Sequence, residues 1–181
     1  MLLLGGCDTF GIGAAPPPAP ALRPLDVRTD DLASLIVALD LPRDVQPVED
    51  ASRADLDIST SSKGARHIKA TLVLADGDSV DGGLPPLPQG HTYYLLGFAP
   101  KDQTALAEVQ KWLAALPPQA APVSVFTVTP KLCSRGPVDA VASTFTIEAA
   151  LPGGPPLTPL RGPTPLAALN GGKPLPNCRP G

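Results

Sequence analysis

Aromatic side chains are scarce in this chain: four Phe, two Tyr and one Trp among 181 residues. A surface that stacks bases or sugars would have few rings to draw on. Positive charge is not in excess either, since 14 Lys and Arg face 17 Asp and Glu. Without a basic field to gather phosphates, nucleic acid is set aside as a partner. No run of 18 apolar residues occurs, so the sequence contains no candidate for a spanning helix. His67 and His91 are the only histidines and form no pair at metal-ligand spacing, so neither a metal nor a cofactor is expected.

Motifs of catalysis are missing as well. There is no G-x-S-x-G elbow, S-x-x-K or H-E-x-x-H, and no G-x-G-x-x-G to hold a nucleotide. Ser61 and Ser62 are close to His67 in sequence, which alone makes no nucleophile. Asp76-Gly77-Asp78-Ser79-Val80-Asp81-Gly82 is the nearest approach to a calcium loop. It fails because Val80 stands where a ligand belongs and Leu87 where a bidentate Glu belongs, so it reads as a solvated turn.

Proline and glycine, by contrast, are plentiful at 25 and 17 residues. The prolines cluster at positions 16–24, 85–88 and 152–180. Between the clusters the chain reads as folded, and 43% hydrophobic residues suffice for one core. Six segments have strand character: 31–41, 54–60, 66–75, 92–98, 123–129 and 144–150; in the first, Leu32, Leu35, Ile36 and Leu39 also satisfy helical spacing, and a strand is favoured because Pro42 and Pro47 follow closely. The second and third are joined by Ser61-Ser62-Lys63-Gly64, which has the length and the glycine of a hairpin connection. One connection is helical: Pro100 suits the first helical position, Leu106, Val109, Leu113 and Leu116 follow at helical spacing, and Pro117-Pro118 stops them. Trp112 flanks that stripe and is expected to close the edge of the core. A short helix is expected over Thr164–Gly171 in an otherwise loop-like tail. The fold class predicted is mainly β, an antiparallel β-sandwich with one packed amphipathic helix.

Leu2-Leu3-Leu4-Gly5-Gly6-Cys7 resembles the lipobox of bacterial lipoproteins. In that family an aliphatic and two small residues precede a cysteine that is acylated and becomes the mature N-terminus. The resemblance covers seven residues and implies lipidation of Cys7. No Lys or Arg precedes the apolar run, which is shorter than a secretory h-region, so the true start is expected further upstream or the chain is trimmed. Residues 14–21 then favour extended polyproline II. As a spacer of about 16 residues at roughly 3.1 Å each, it would hold a domain about 50 Å from the bilayer. Asp8 resembles the residue that retains lipoproteins in the inner membrane of enteric bacteria, and so favours that membrane.

If Cys7 is consumed by lipid, Cys133 and Cys178 remain as an even pair, and an oxidising compartment would join them. A zinc site combining them with His67 or His91 is the alternative. The resulting division is 1–6 as signal-peptide remnant, 7–24 as anchor and proline-rich linker, 25–151 as β-rich domain, and 152–181 as a Pro/Gly-rich tail pinned to the domain. The expected role is a membrane-tethered, non-catalytic binding or assembly module on the periplasmic side of a bacterial membrane, with an envelope protein as partner. The alternatives are an envelope hydrolase whose site forms only in three dimensions, and a carrier of an apolar envelope molecule.

Overall fold

The computed structural model of the chain describes residues 21–61, 63–75 and 84–179. Its strands are β1 (Ile36–Pro42), β2 (Val45–Pro47), β3 (Arg53–Thr60), β4 (Gly64–Leu74) and β5 (His91–Phe98), followed after the helix α1 (Pro100–Ala114) by β6 (Val123–Thr129), β7 (Leu132–Ser134), β8 (Thr144–Ala150) and β9 (Arg161–Pro165). Seven of them form one sheet in the order β6-β3-β4-β5-β1-β8-β9, and β2 and β7 form a separate two-stranded ribbon. Every ladder is antiparallel, so the fold is mainly β with one helix, as the alternation predicts.

The sheet curls at β4. Residues 64–71 of that strand pair with β3, whereas Leu72–Leu74 pair with β5. One long strand therefore serves both halves, which is how a single sheet turns a corner and faces itself. Phe98 on β5 and Phe126 on β6 lie on strands that are not neighbours in the sheet, yet their rings meet edge to face with centroids 6.4 Å apart. Between the halves lie Val37, Leu39 and Leu41 of β1, Leu56 and Ile58 of β3, Leu96 of β5 and Ile147 of β8, all buried.

Helix α1 closes this core. Leu106, Val109 and Leu113 are buried on it, and Leu116 is buried just past its end. The Asp102 carboxylate in its first turn accepts from the Thr71 backbone N–H at 2.7 Å, and the Gln103 amide donates to the Phe98 carbonyl at 3.0 Å. Both bonds tie the helix start to the sheet, where a carboxylate also meets the positive end of the helix dipole. Trp112 packs at the core's edge, with the Arg66 guanidinium 5.1 Å from its ring centre. The predicted hairpin is present, and Gly64 ends its turn at φ +81°, a conformation for which glycine carries no Cβ penalty.

The tail differs from the expectation of a loop with a short helix. Thr164 and Pro165 belong to β9, and only a single 3-10 turn, Leu166–Leu169, follows. The residue before a proline is pushed toward extended backbone, so Gly162 and Thr164, preceding Pro163 and Pro165, sit naturally in a strand. Leu157 and Leu166 are buried in the core, so the tail also helps to build it. At the other end, Arg23 clasps Asp30 through two hydrogen bonds of 2.8 and 2.6 Å, and its backbone carbonyl accepts from Thr158 at 2.8 Å. That carboxylate is held below the usual range, first by the Arg23 hydrogen bond.

Candidate functional site

Two surfaces stand out once the core is accounted for, and both belong to the sheet. The first is the outer face of the β5-β1-β8 half. On β1, Val37, Leu39 and Leu41 point into the core, so Ala38 and Asp40 point outward, yet both are buried. Asp40 is registered opposite Tyr93 on one side and Thr146 on the other, and Ala38 is opposite Glu148. His91 begins β5, with its Nδ1 2.6 Å from Asp40 Oδ1. The Tyr93 hydroxyl donates to the Pro85 carbonyl at 3.0 Å.

Burial sets the electrostatics of this cluster. It pushes the Glu148 carboxyl above its ordinary range, and the nearby Asp40 charge adds to the rise. Burial likewise pushes the Tyr93 hydroxyl up to about 12, with the charges of Glu148 and Asp40 contributing after it. A neutral phenol, a carboxyl that holds its proton more tightly, and an Asp–His pair are thus brought together on one face.

The second surface is the free edge of the sheet at β6. This strand pairs with β3 from Val123 to Thr129 without a bulge and has no partner on its other side among the described residues. Val123 and Val125 are 64% and 55% exposed. Beside them on the outer face of β3 and β4, His67 Nδ1 is 2.7 Å from Asp57 and Nε2 is 3.7 Å from Asp55. Lys69 reaches Asp55 at 4.0 Å.

The residues expected to matter from sequence fall differently. Cys7 and Asp8 lie outside the described residues, as do Ser62 and the Asp76–Gly82 segment. Cys133 on β7 and Cys178 are brought to disulfide-bonding distance, with Cα atoms 4.9 Å apart. The Cys178 N–H donates to the Ser134 carbonyl at 2.9 Å, and the Ser134 N–H to the Pro176 carbonyl at 2.9 Å, so the tail lies along the ribbon. His67 and His91 stand on different parts of the sheet, and among the described residues no three His, Cys, Asp or Glu side chains gather as metal ligands. A groove of about 760 Å³ runs between the ribbon and the end of the sheet, bordered by Gln46, Leu74, Tyr94 and Cys178.

Comparison with protein-family models, with curated proteins and with solved structures finds no match. The Asp40 cluster and the β6 edge were not singled out by the sequence motifs, though each leaves a trace there. Asp40 interrupts an otherwise apolar strand, Glu148 is the one charge in 144–150, and 123–129 is a mostly β-branched run without a charge.

Proposed function

We propose that this protein is a membrane-tethered lipoprotein of the bacterial envelope that works as a non-catalytic binding module, docking a partner strand along β6. The observation that carries the docking reading is that uncharged edge, unpartnered among the described residues, with Val123 and Val125 exposed. An edge strand offers a row of backbone donors and acceptors, which natural proteins usually cover or guard with charge or proline. Addition of a strand from a partner satisfies those groups and reads alternate side chains. Support for the address comes from the Leu4-Gly5-Gly6-Cys7 run and the proline-rich stretch behind it. The approach of Cys133 and Cys178 agrees with an oxidising compartment. Asp8 favours the inner membrane and its periplasmic face.

Membrane fractionation of the native host tests this reading. The wild-type protein should co-sediment with membranes and Cys7→Ser should be released. Release of both, or retention of both, would contradict the anchor. A partner retained on native membranes by wild type and lost by a β6 variant would support the docking role.

A second reading, an envelope hydrolase, is favoured by the Asp40–His91 pair. A carboxylate that fixes one imidazole nitrogen leaves the other to act as a general base toward water or a hydroxyl. Turnover of a simple ester that disappears in His91→Ala, with folding intact, would support it; turnover unchanged by that substitution would count against it.

A further inference from the structure

We propose that the strand docked on β6 is β6 of a second copy of this chain, paired antiparallel about a two-fold axis through Phe126. The inference rests on the reading of β6 as a docking edge and names its partner. The two edges of the sheet differ in kind. β9 carries Pro163 and Pro165 and pairs irregularly with β8, with a register shift between Phe145 and Ile147. Prolines and irregularities are devices that stop a further strand from adding. β6, Val-Ser-Val-Phe-Thr-Val-Thr, has neither proline nor charge, and five of its seven residues are β-branched.

Self-pairing is also favoured by symmetry in the sequence. Pro122 and Pro130 bound β6 four residues to either side of Phe126. In the antiparallel register centred on Phe126, each proline falls opposite a proline of the second copy and none enters the ladder. On the outer face, Val125 then meets Thr127 of the second copy and Val123 meets Thr129. On the inner face Phe126 meets its own equivalent. Each of these is a pairing of β-branched or aromatic residues, the kind that stabilises adjacent strands. A slip of two residues would carry Pro122 or Pro130 into the paired region, where it has no N–H to give.

Charge does not oppose this arrangement. The nearest carboxylates, Asp55 and Asp57, sit on β3 and are already close to His67 and Lys69. In the dimer the two β3 strands are separated by both β6 strands, three strand spacings or about 14 Å. That exceeds the screening length of roughly 8–10 Å in physiological salt. Two-fold pairing also consumes the β6 edge of both copies and leaves a β9 edge at each end, so assembly closes at two.

Sedimentation of the folded chain, with variants on the exposed face of β6, tests the proposal. Wild type should self-associate with concentration, and Val125→Lys should raise the dissociation constant by roughly tenfold or more while leaving circular dichroism, and the Tm measured in dilute monomeric solution, unchanged. Val123→Lys should weaken association likewise, and an equimolar mixture of Val123→Lys and Thr129→Asp should recover it, because the two-fold register sets the introduced lysine of one copy beside the introduced aspartate of the other, while within one chain these positions face Ser59 and Arg53 rather than a carboxylate. Wild type that stays monomeric at its highest soluble concentration would overturn the proposal, as would a dimer indifferent to Val125→Lys or a mixture that fails to recover. If self-association fails while a different protein from native membranes still binds in a Val125-dependent way, the docking reading stands and only the identity of the partner falls.

Discussion

Reducing the Cys133–Cys178 pair should free the last stretch of the chain and little else. The two cysteines are 45 residues apart. In the chain-entropy model, closing a loop of that size stabilises the fold by about 4 kcal/mol. Where the loss appears depends on what else holds the loop. Leu157 and Leu166 are buried in the core and β9 is hydrogen-bonded to β8, so the part up to Leu169 keeps its own attachments. Beyond it, residues 170–178 are joined to the ribbon mainly by the Ser134–Pro176 and Cys178–Ser134 backbone bonds, with Leu175 half-buried. Two such bonds contribute about 1 kcal/mol each, whereas ordering one residue costs about 1–2 kcal/mol. Once the sulfurs part, entropy wins there. Hydrogen exchange with and without reductant should show the Cys178 and Ser134 amides losing protection while β8 and β9 keep theirs. Unchanged protection at Cys178 would refute the reasoning, and so would loss that spreads through β9.

Leu113, fully buried under α1, should cost about 2–5 kcal/mol when replaced by Ala, and a urea titration showing less than about 0.5 kcal/mol would mean that the helix does not close the core. Glu148, whose carboxyl is pushed above its ordinary 4.5 by burial and then by Asp40, binds its proton more tightly folded than unfolded. Its contribution is therefore fully favourable at low pH and is lost as pH rises above about 4.5 through the raised value. Glu148→Gln should flatten that decline in thermal-melt profiles, and an unaltered slope would argue against it. Tyr93 should ionise at about pH 12 by phenolate absorbance, and a midpoint near the ordinary 10.0 would place its ring in water.

Alternation made β3 and β4 legible because their residues alternate in burial, whereas β5, β6 and β8 were legible as aromatic and β-branched runs, and β1, buried on both faces, satisfies helical and strand spacing alike. Leu56 and Ile58 against Asp55 and Asp57 on β3 are an example, with both leucine and isoleucine buried and Asp57 exposed. The helix was legible for the same reason, from its apolar stripe and bounding prolines. The three strands that escaped reading, β2, β7 and β9, are three to five residues long, too short for a period to be recognised, and Gln46 and Pro163 interrupt any apolar pattern. The Asp40–His91 contact spans 51 residues of sequence and the β6 edge is a property of sheet order. Neither is written in local spacing. Asp40 within the apolar 36–42 segment is a local conflict that could have pointed to the first, but it matches no motif of catalysis or binding.

Acylation of Cys7 is the central proposal, because the envelope address, the tether and an oxidising compartment for Cys133 and Cys178 would all follow from it. Mass spectrometry of the N-terminal peptide, from protein expressed in and isolated from its native host, measures it. The expected result is a peptide that begins at Cys7 and carries the added mass of acyl chains. A peptide that continues through Gly6 into an unmodified Cys7 would contradict the account.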